Sequence, residues 1–188
     1  MIRIIAGKHK NRIIPSLKNA KYRPSTSKLR EAIFSTLNSG EFNKGELFKD
    51  HIKILDLFSG TGSLAFEALS RGAGEITLVD VNAEYLATAY EFSILIGELK
   101  NVFFIKINAL NLPKATKTFD LIFIDPPYYK NLVPPTIDNL IKNSWLNEGA
   151  ILVVEMAKSD IYDNPKLELV KEKIYGNSRL MILRYNYE

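Results

Sequence analysis

The chain has 188 residues, 46% of them hydrophobic and 24% charged, with a formal net charge of +4. This is the profile of one globular domain and excludes wholesale disorder. It holds no cysteine and two histidines, His9 and His51, which excludes disulfides, thiolate zinc sites, iron–sulfur clusters and a cysteine nucleophile, and argues against a histidine-rich metal site. No run approaches the ~18 apolar residues of a membrane span and no apolar leader opens the chain. A cytoplasmic, monomeric protein without bound metal or membrane contact is expected.

The charge is uneven. Residues 1–30 carry nine Lys/Arg and no acid, whereas the remainder carries sixteen Lys/Arg against twenty-one Asp/Glu. A one-signed block at one end predicts a polyanionic partner, of which nucleic acid is the commonest. A solvated arm or a transit peptide would also be basic, but the Ile pairs, Gly7 and two prolines do not suit the amphipathic helix of the latter. Tyr22 is the only aromatic in the block, so contact with backbone phosphates is expected rather than base stacking.

In chain order, residues 2–5 and 12–14 are apolar pieces around a polar stretch with Gly7 and Asn11, which predicts a β-hairpin or two short extended segments. Residues 15–24 read as a loop with Pro15 and Pro24. Ser25, Thr26 and Ser27 then offer N-caps for a helix with Leu29, Ile33, Phe34 and Leu37 at helical spacing. Residues 38–51 read as a polar connection. From residue 52 the pattern alternates, with strands at 52–58, 75–79, 102–107, 119–124 and 150–155 and helices at 63–70, 83–96 and 137–145. Residues 167–175 and 179–187 read as a closing antiparallel pair around Gly176-Asn177. Alternation of strand and helix predicts a doubly wound α/β fold, a seven-stranded, mostly parallel sheet with helices on both faces. The organisation expected is a small basic β/helix extension over 1–38 and a ligand-binding domain over 39–188. Ligands of such sheets bind beyond the carboxyl ends of the strands.

Two motifs lie there. Asp56-Leu57-Phe58-Ser59-Gly60-Thr61-Gly62 runs from strand to helix, and its glycines allow a tight turn and close backbone approach to a ligand. With Ala65 it satisfies the dinucleotide spacing, yet Asp56 would repel a pyrophosphate. A carboxylate there suits a ligand bearing an ammonium and a sulfonium. Asp80, at the end of the next strand, is placed to hold ribose hydroxyls. Together they point to a nucleoside cofactor, S-adenosylmethionine before others, with a loop-bracing carboxylate as the bland alternative for Asp56. The second motif is Asp125-Pro126-Pro127-Tyr128. The prolines fix φ and remove two donors, so the Asp125 carboxylate and the Pro126 carbonyl are presented as acceptors, and Tyr128 adds a flat π-face. Two acceptors and a ring suit the exocyclic amine of a planar base.

With both motifs present, the chain resembles the class I S-adenosylmethionine-dependent amino-methyltransferases. More narrowly, Arg23-Pro24-Ser25-Thr26-Ser27-Lys28-Leu29-Arg30, Arg3-Ile4-Ile5-Ala6-Gly7, Leu69-Ser70-Arg71-Gly72-Ala73, and Trp145-Leu146 with Glu155 resemble the RsmD-type 16S rRNA (guanine-N2)-methyltransferases over essentially the whole chain. The resemblance implies N2-methylation of a guanine in the small ribosomal subunit, guanine 966 in the family. It implies that Asp56, Phe58, Ser59, Gly60 and Gly62 cradle the cofactor, Asp80 holds its ribose, Asn108 faces its adenine, and Asp125 to Tyr128 hold the guanine. Arg3, Lys8, Lys10, Arg12, Arg23 and Arg30 are the expected nucleic-acid contacts, Arg23 and Arg30 near the substrate entrance. Three residues depart from the family pattern: Asn108 for Asp, Tyr128 for Phe, and Asn11 for Gly in a turn where Asn tolerates left-handed backbone. The competing readings are a DNA or protein-glutamine amino-methyltransferase, for which 188 residues leave no target-recognition region and Asp125 is the less usual first residue, a catalytically silent nucleic-acid-binding module, and a nicotinamide dehydrogenase.

Overall fold

The computed structural model describes residues 2–17, 26–39, 42, 47–127 and 130–186. A two-stranded antiparallel hairpin, β1 (Ile2–Arg3) and β2 (Ile13–Ile14), opens the chain, followed by α1 (Ser27–Leu37). Then come β3 (Lys53–Leu57), α2 (Ser63–Ser70), β4 (Glu75–Asp80), α3 (Ala83–Leu95), β5 (Val102–Lys106) and β6 (Phe119–Ile124). The chain closes with α4 (Val133–Lys142), β7 (Leu146–Ala157), β8 (Leu167–Tyr175) and β9 (Ser178–Tyr185). Single 3-10 turns sit at Leu99–Asn101 and Ala109–Asn111. Seven strands form one sheet in the order β5-β4-β3-β6-β7-β9-β8, parallel except for the antiparallel pairings of β9 with β7 and β8. The expected doubly wound, mostly parallel sheet is the fold. No helix among the described residues is long and apolar enough to cross a membrane.

The central strands are nearly continuous apolar runs because both faces are covered. Ile54, Ile76, Leu78, Leu121, Phe123, Ile151 and Val153 pack toward α1, α2 and α3. Leu55, Leu57, Val79, Ile122, Ile124, Leu152 and Val154 pack toward α4. The N-terminal segment shares the first of these cores. Ile2, Ile4, Ile14, Ile33, Phe34 and Leu37 belong to the same cluster, and the Phe34 ring lies 5.8 Å from that of Phe123. The connection over 38–51, expected to be polar, contributes Phe42, Leu47 and Phe48 to this core.

Two boundaries differ from the sequence reading. The helix expected at 137–145 is Val133–Lys142. Pro134 and Pro135 stand in its first turn, where a missing N–H leaves no bond unmade. Trp145 lies beyond it, stacked on Phe119 at 5.7 Å with its indole N–H donating to the Pro113 carbonyl at 2.8 Å. β7 begins at Leu146 rather than at 150, because a register shift opposite Phe119–Leu121 lets the strand pass through Asn147-Glu148-Gly149.

Candidate active site

The register places four carboxylates along one edge. Leu57 of β3 is opposite Val79 of β4 and Ile124 of β6, and Ile124 is opposite Val154 of β7. Asp80, Asp125 and Glu155, the next residue in each neighbour, therefore stand at one height, with Asp56 one residue short of Leu57 in the gap between the first two. Side chains alternate along a strand. Leu78, Ile54, Phe123 and Val153, two residues before these acids, all face α1–α3, so the acids share that face. Asp80 and Asp125 are two strand spacings apart, roughly 10 Å.

The turn after β3 crosses this gap. Phe58 has φ +59, Gly60 +53 and Gly62 +82. A left-handed non-glycine residue at such a turn is strained backbone held by its surroundings. At Gly62 a Cβ would sit 2.5 Å from Leu78 Cδ2, so this glycine serves the close packing of α2 on β4. Asp80 pins the turn: Oδ2 accepts the Gly60 N–H and Oδ1 the Asn82 N–H, both at 2.8 Å. Each oxygen keeps a lone pair outward for a hydroxyl. Asp56 Oδ2 accepts the Ala65 N–H at 3.1 Å and so caps α2, whose own N-cap, Gly62, has no side chain. Burial pushes the Asp56 carboxyl from 3.8 up to about 8; the Ala65 N–H pulls it down, and the negative neighbours Asp125 and Asp80 push it further up. The Ser59 hydroxyl is buried in the turn with no hydrogen-bond partner. An under-satisfied anionic hollow with an orphaned hydroxyl fits a cationic ligand bearing hydroxyls, which is the chemistry of S-adenosylmethionine.

Asp125 is half-buried, Pro126 buried and Pro127 exposed; the expected contribution of Tyr128 lies outside the described residues. Asn108 is exposed, and its Oδ1 accepts the Leu110 N–H at 3.0 Å, which leaves its amide hydrogens as the outward-facing group. Val81, which the sequence reading passed over, is 62% exposed directly after Asp80 and offers an apolar surface at the mouth of the hollow. Its signal was an apolar residue following a strand-end acid. A shallow recess lined by Pro126, Pro127, Leu132, Met156 and Asp160 lies beside the diproline.

The basic N-terminal segment sits at the other end of the sheet. The Lys8 N–H donates to the Ser70 carbonyl, at the C-terminus of α2, at 2.7 Å. α2 starts at the glycine turn, so the hairpin lies about 12 Å along it. Glu67, fully buried, accepts the Ile5 and Ala6 N–H groups and the Arg71 guanidinium. Glu98 accepts Lys8 Nζ at 2.6 Å and Asn101 Nδ2 at 2.7 Å, and pairs with His9 Nε2 at 2.9 Å. Burial alone would raise the Glu98 carboxyl, but the bonds from Lys8, His9 and Asn101 hold it down at about 2. Asn11 has φ +70, the left-handed backbone expected of it. Arg3, Lys8, Lys10 and Arg12 are exposed. Arg30 corrects the sequence reading: it is 1% exposed and donates to the Arg3 carbonyl at 3.0 Å, so it braces the hairpin against α1 instead of facing a polyanion. Arg23 lies outside the described residues.

Residues 2–184 match the family model described as conserved hypothetical protein 95. An uncharacterized methylase of Rickettsia prowazekii is 45% identical, with 99% of this chain and 98% of that protein covered. The ribosomal RNA small subunit methyltransferase D of Escherichia coli is 32% identical over 82% of this chain and 74% of its own length. Among solved structures, a putative methyltransferase of Escherichia coli, YhhF, superposes with a TM-score of 0.86 at 26% identity, covering 100% of this chain and 99% of that one. An RNA methyltransferase of Salinibacter ruber in complex with S-adenosyl-L-homocysteine shares the fold at a TM-score of 0.66, 10% identity and 88% and 95% coverage. The chain belongs to the conserved hypothetical protein 95 family, that of the RsmD-type rRNA methyltransferases.

Proposed function

We propose that this chain transfers a methyl group from S-adenosylmethionine to the N2 amine of a guanine in 16S rRNA of the small ribosomal subunit. The observation that carries the reading is the placement of Asp125-Pro126-Pro127, directly after the end of the adjacent strand β6, beside the Asp56–Asp80 hollow. Two relatives that each span 82% of this chain are named ribosomal RNA small subunit methyltransferase D, which supports the choice of rRNA.

S-adenosylmethionine supplies a methyl group carried on a positively charged sulfur. Asp56 matches that charge and Asp80 accepts from the ribose. Asn108 offers its amide toward the adenine, and the glycine turn lets the backbone approach. Asp125 and the Pro126 carbonyl accept the two N2 hydrogens of guanine. Those bonds draw the amine nitrogen toward tetrahedral geometry and return its lone pair from the ring. The proton that N2 sheds as it gains the methyl passes to Asp125 or to water. The family resemblance assigns Tyr128 to stacking on the ring. Positioning and electrostatics supply the rate. Arg3, Lys8, Lys10 and Arg12 contact phosphates away from the reacting base, so the RNA footprint spans the length of α2.

The test is transfer of labelled methyl to naked 16S rRNA and to small subunits, followed by nucleoside identification. N2-methylguanosine is the expected product. Label recovered in adenosine, in DNA or in a glutamine side chain would sink the reading.

A further inference from the structure

Glu155 lies at the acidic end of the row and has no part in the reaction as derived so far. It follows Val154 on β7 as Asp125 follows Ile124 on β6, and those two residues are register partners. It shares the α1–α3 face with Asp125 and Asp56, and it is 5% exposed. The row is therefore ordered: Asp80 and Asp56 flank the glycine turn, Asp125 comes next, and Glu155 stands one strand further, about 5 Å on. The orphaned Ser59 hydroxyl marks the ligand end of this row on the side away from Glu155. The recess beside the diproline is no rival position, because Leu132, Val133 and Met156 of its lining belong to or adjoin the α4 face.

A guanine whose N2 amine meets Asp125 presents its N1–H on the same edge, directly beside that amine. Of the two atoms that flank the amine-bearing carbon, N3 is an acceptor that a carboxylate repels and N1–H is a donor, so a base whose amine meets Asp125 sits most favourably with N1–H toward Glu155 on β7. We propose that Glu155 accepts the N1–H of the target guanine and is the residue that selects guanine over bases with an amine but no adjacent donor. This rests on the N2-guanine reading above. The chemistry is specific: adenine and 2,6-diaminopurine carry an acceptor at N1, which a carboxylate repels. A site built around a donor rejects an analogue lacking it far more strongly than an apolar pocket rejects a changed shape. The carboxylate also pushes electron density through the ring toward N2, the atom that must act as nucleophile.

The experiment uses small subunits reconstituted with 16S rRNA carrying either guanine or 2,6-diaminopurine at the position the enzyme modifies. Both keep the N2 amine, and only guanine keeps N1–H. The wild-type chain is expected to favour guanine by roughly 10⁴-fold in kcat/KM. Glu155→Gln, whose amide donates to an N1 acceptor, is expected to lower total activity and bring that ratio to about one or invert it. A merely structural role would lower both substrates together and leave the ratio unchanged, which overturns the proposal. Equal use of the two bases by the wild-type chain also overturns it, whatever the variant does. Failure of the wild-type chain to form N2-methylguanosine on the guanine-bearing subunits overturns the reading beneath it as well, and is told apart by that missing product.

Discussion

The sheet has a buried carboxylate at each end, and the two are treated in opposite ways. Asp56, at the carboxyl end, accepts one backbone N–H, faces two other acids, and has its carboxyl pushed up to about 8. Glu98, at the end where the N-terminal hairpin docks, is met by Lys8, His9 and Asn101 and held at about 2. Burial acts against the charged form at both sites, so the difference lies in the donors supplied. Glu98 is a rivet whose charge is answered within the chain. Asp56 is a carboxyl short of donors, held back from ionising by burial and by its acidic neighbours, and on the proposed function it ionises against a bound cation. A buried acid left short of partners thus marks a place for a ligand, and one that is fully served marks architecture.

The sharpest way to break this contrast is at the neighbour of Asp56. Asp125→Ala is expected to cut methyl transfer by roughly 1000-fold while cofactor affinity, read by calorimetry, stays within a few-fold. Equal loss of both would mean that the two ends of the active site are one binding surface.

Asp56→Asn comes next. It is expected to weaken S-adenosylmethionine by about 10- to 100-fold. Its effect on stability has the opposite sign. The Asp56 carboxyl is raised in the folded chain from 3.8 to about 8, so its contribution is fully present below the lower value and is lost as pH rises through the upper one. The ligand-free wild-type chain should therefore lose Tm progressively between about pH 4 and 8, with no further loss from this group above that, and the Asn variant should lack this slope. Parallel Tm profiles for the two proteins would show that Asp56 is served like Glu98.

Glu98→Gln tests the rivet. The Glu98 carboxyl is lowered from 4.5 to about 2, so its contribution is present above the first value and is lost as pH falls through the second. The variant is expected to lose about 1–3 kcal/mol at pH 7 by urea titration, with cofactor affinity unchanged. A loss of affinity comparable to that of Asp56→Asn would erase the distinction between the two ends.

The smallest effect is expected on the exposed surface of the hairpin. Neutralising Lys10 and Arg12 should lower the slope of log K against log salt for rRNA binding by about 1 to 2, with kcat little changed. An unchanged slope would make the docked hairpin purely architectural.

The contrast also explains what could be read from the chain alone. Asp56, Asp80 and Asp125 were legible because strand ends in a parallel sheet converge: Asp80 and Asp125 close apolar runs, and Asp56 interrupts one just before the glycine turn. Glu67 and Glu98 were not, because the hairpin partners that make them anchors lie 61–62 and 89–90 residues away, and their local bonds to Arg71 and Asn101 do not announce that role. Arg30 was misjudged for the same reason: in a basic run, one arginine folded under the hairpin is indistinguishable from its exposed neighbours. The start of α4 was not legible because helical apolar spacing is plain only from Ile137 onward, whereas Pro134 and Pro135 fit a first helical turn that has no use for their missing N–H groups.

The outermost strand carries a last consequence. Among the described residues β8 pairs only with β9, shifts register between Leu169 and Lys171, and carries Lys171, Glu172 and Lys173 in succession. A kinked, charge-studded border of this kind offers a poor template for another chain's backbone, so crowded copies of the protein are kept from polymerising edge to edge.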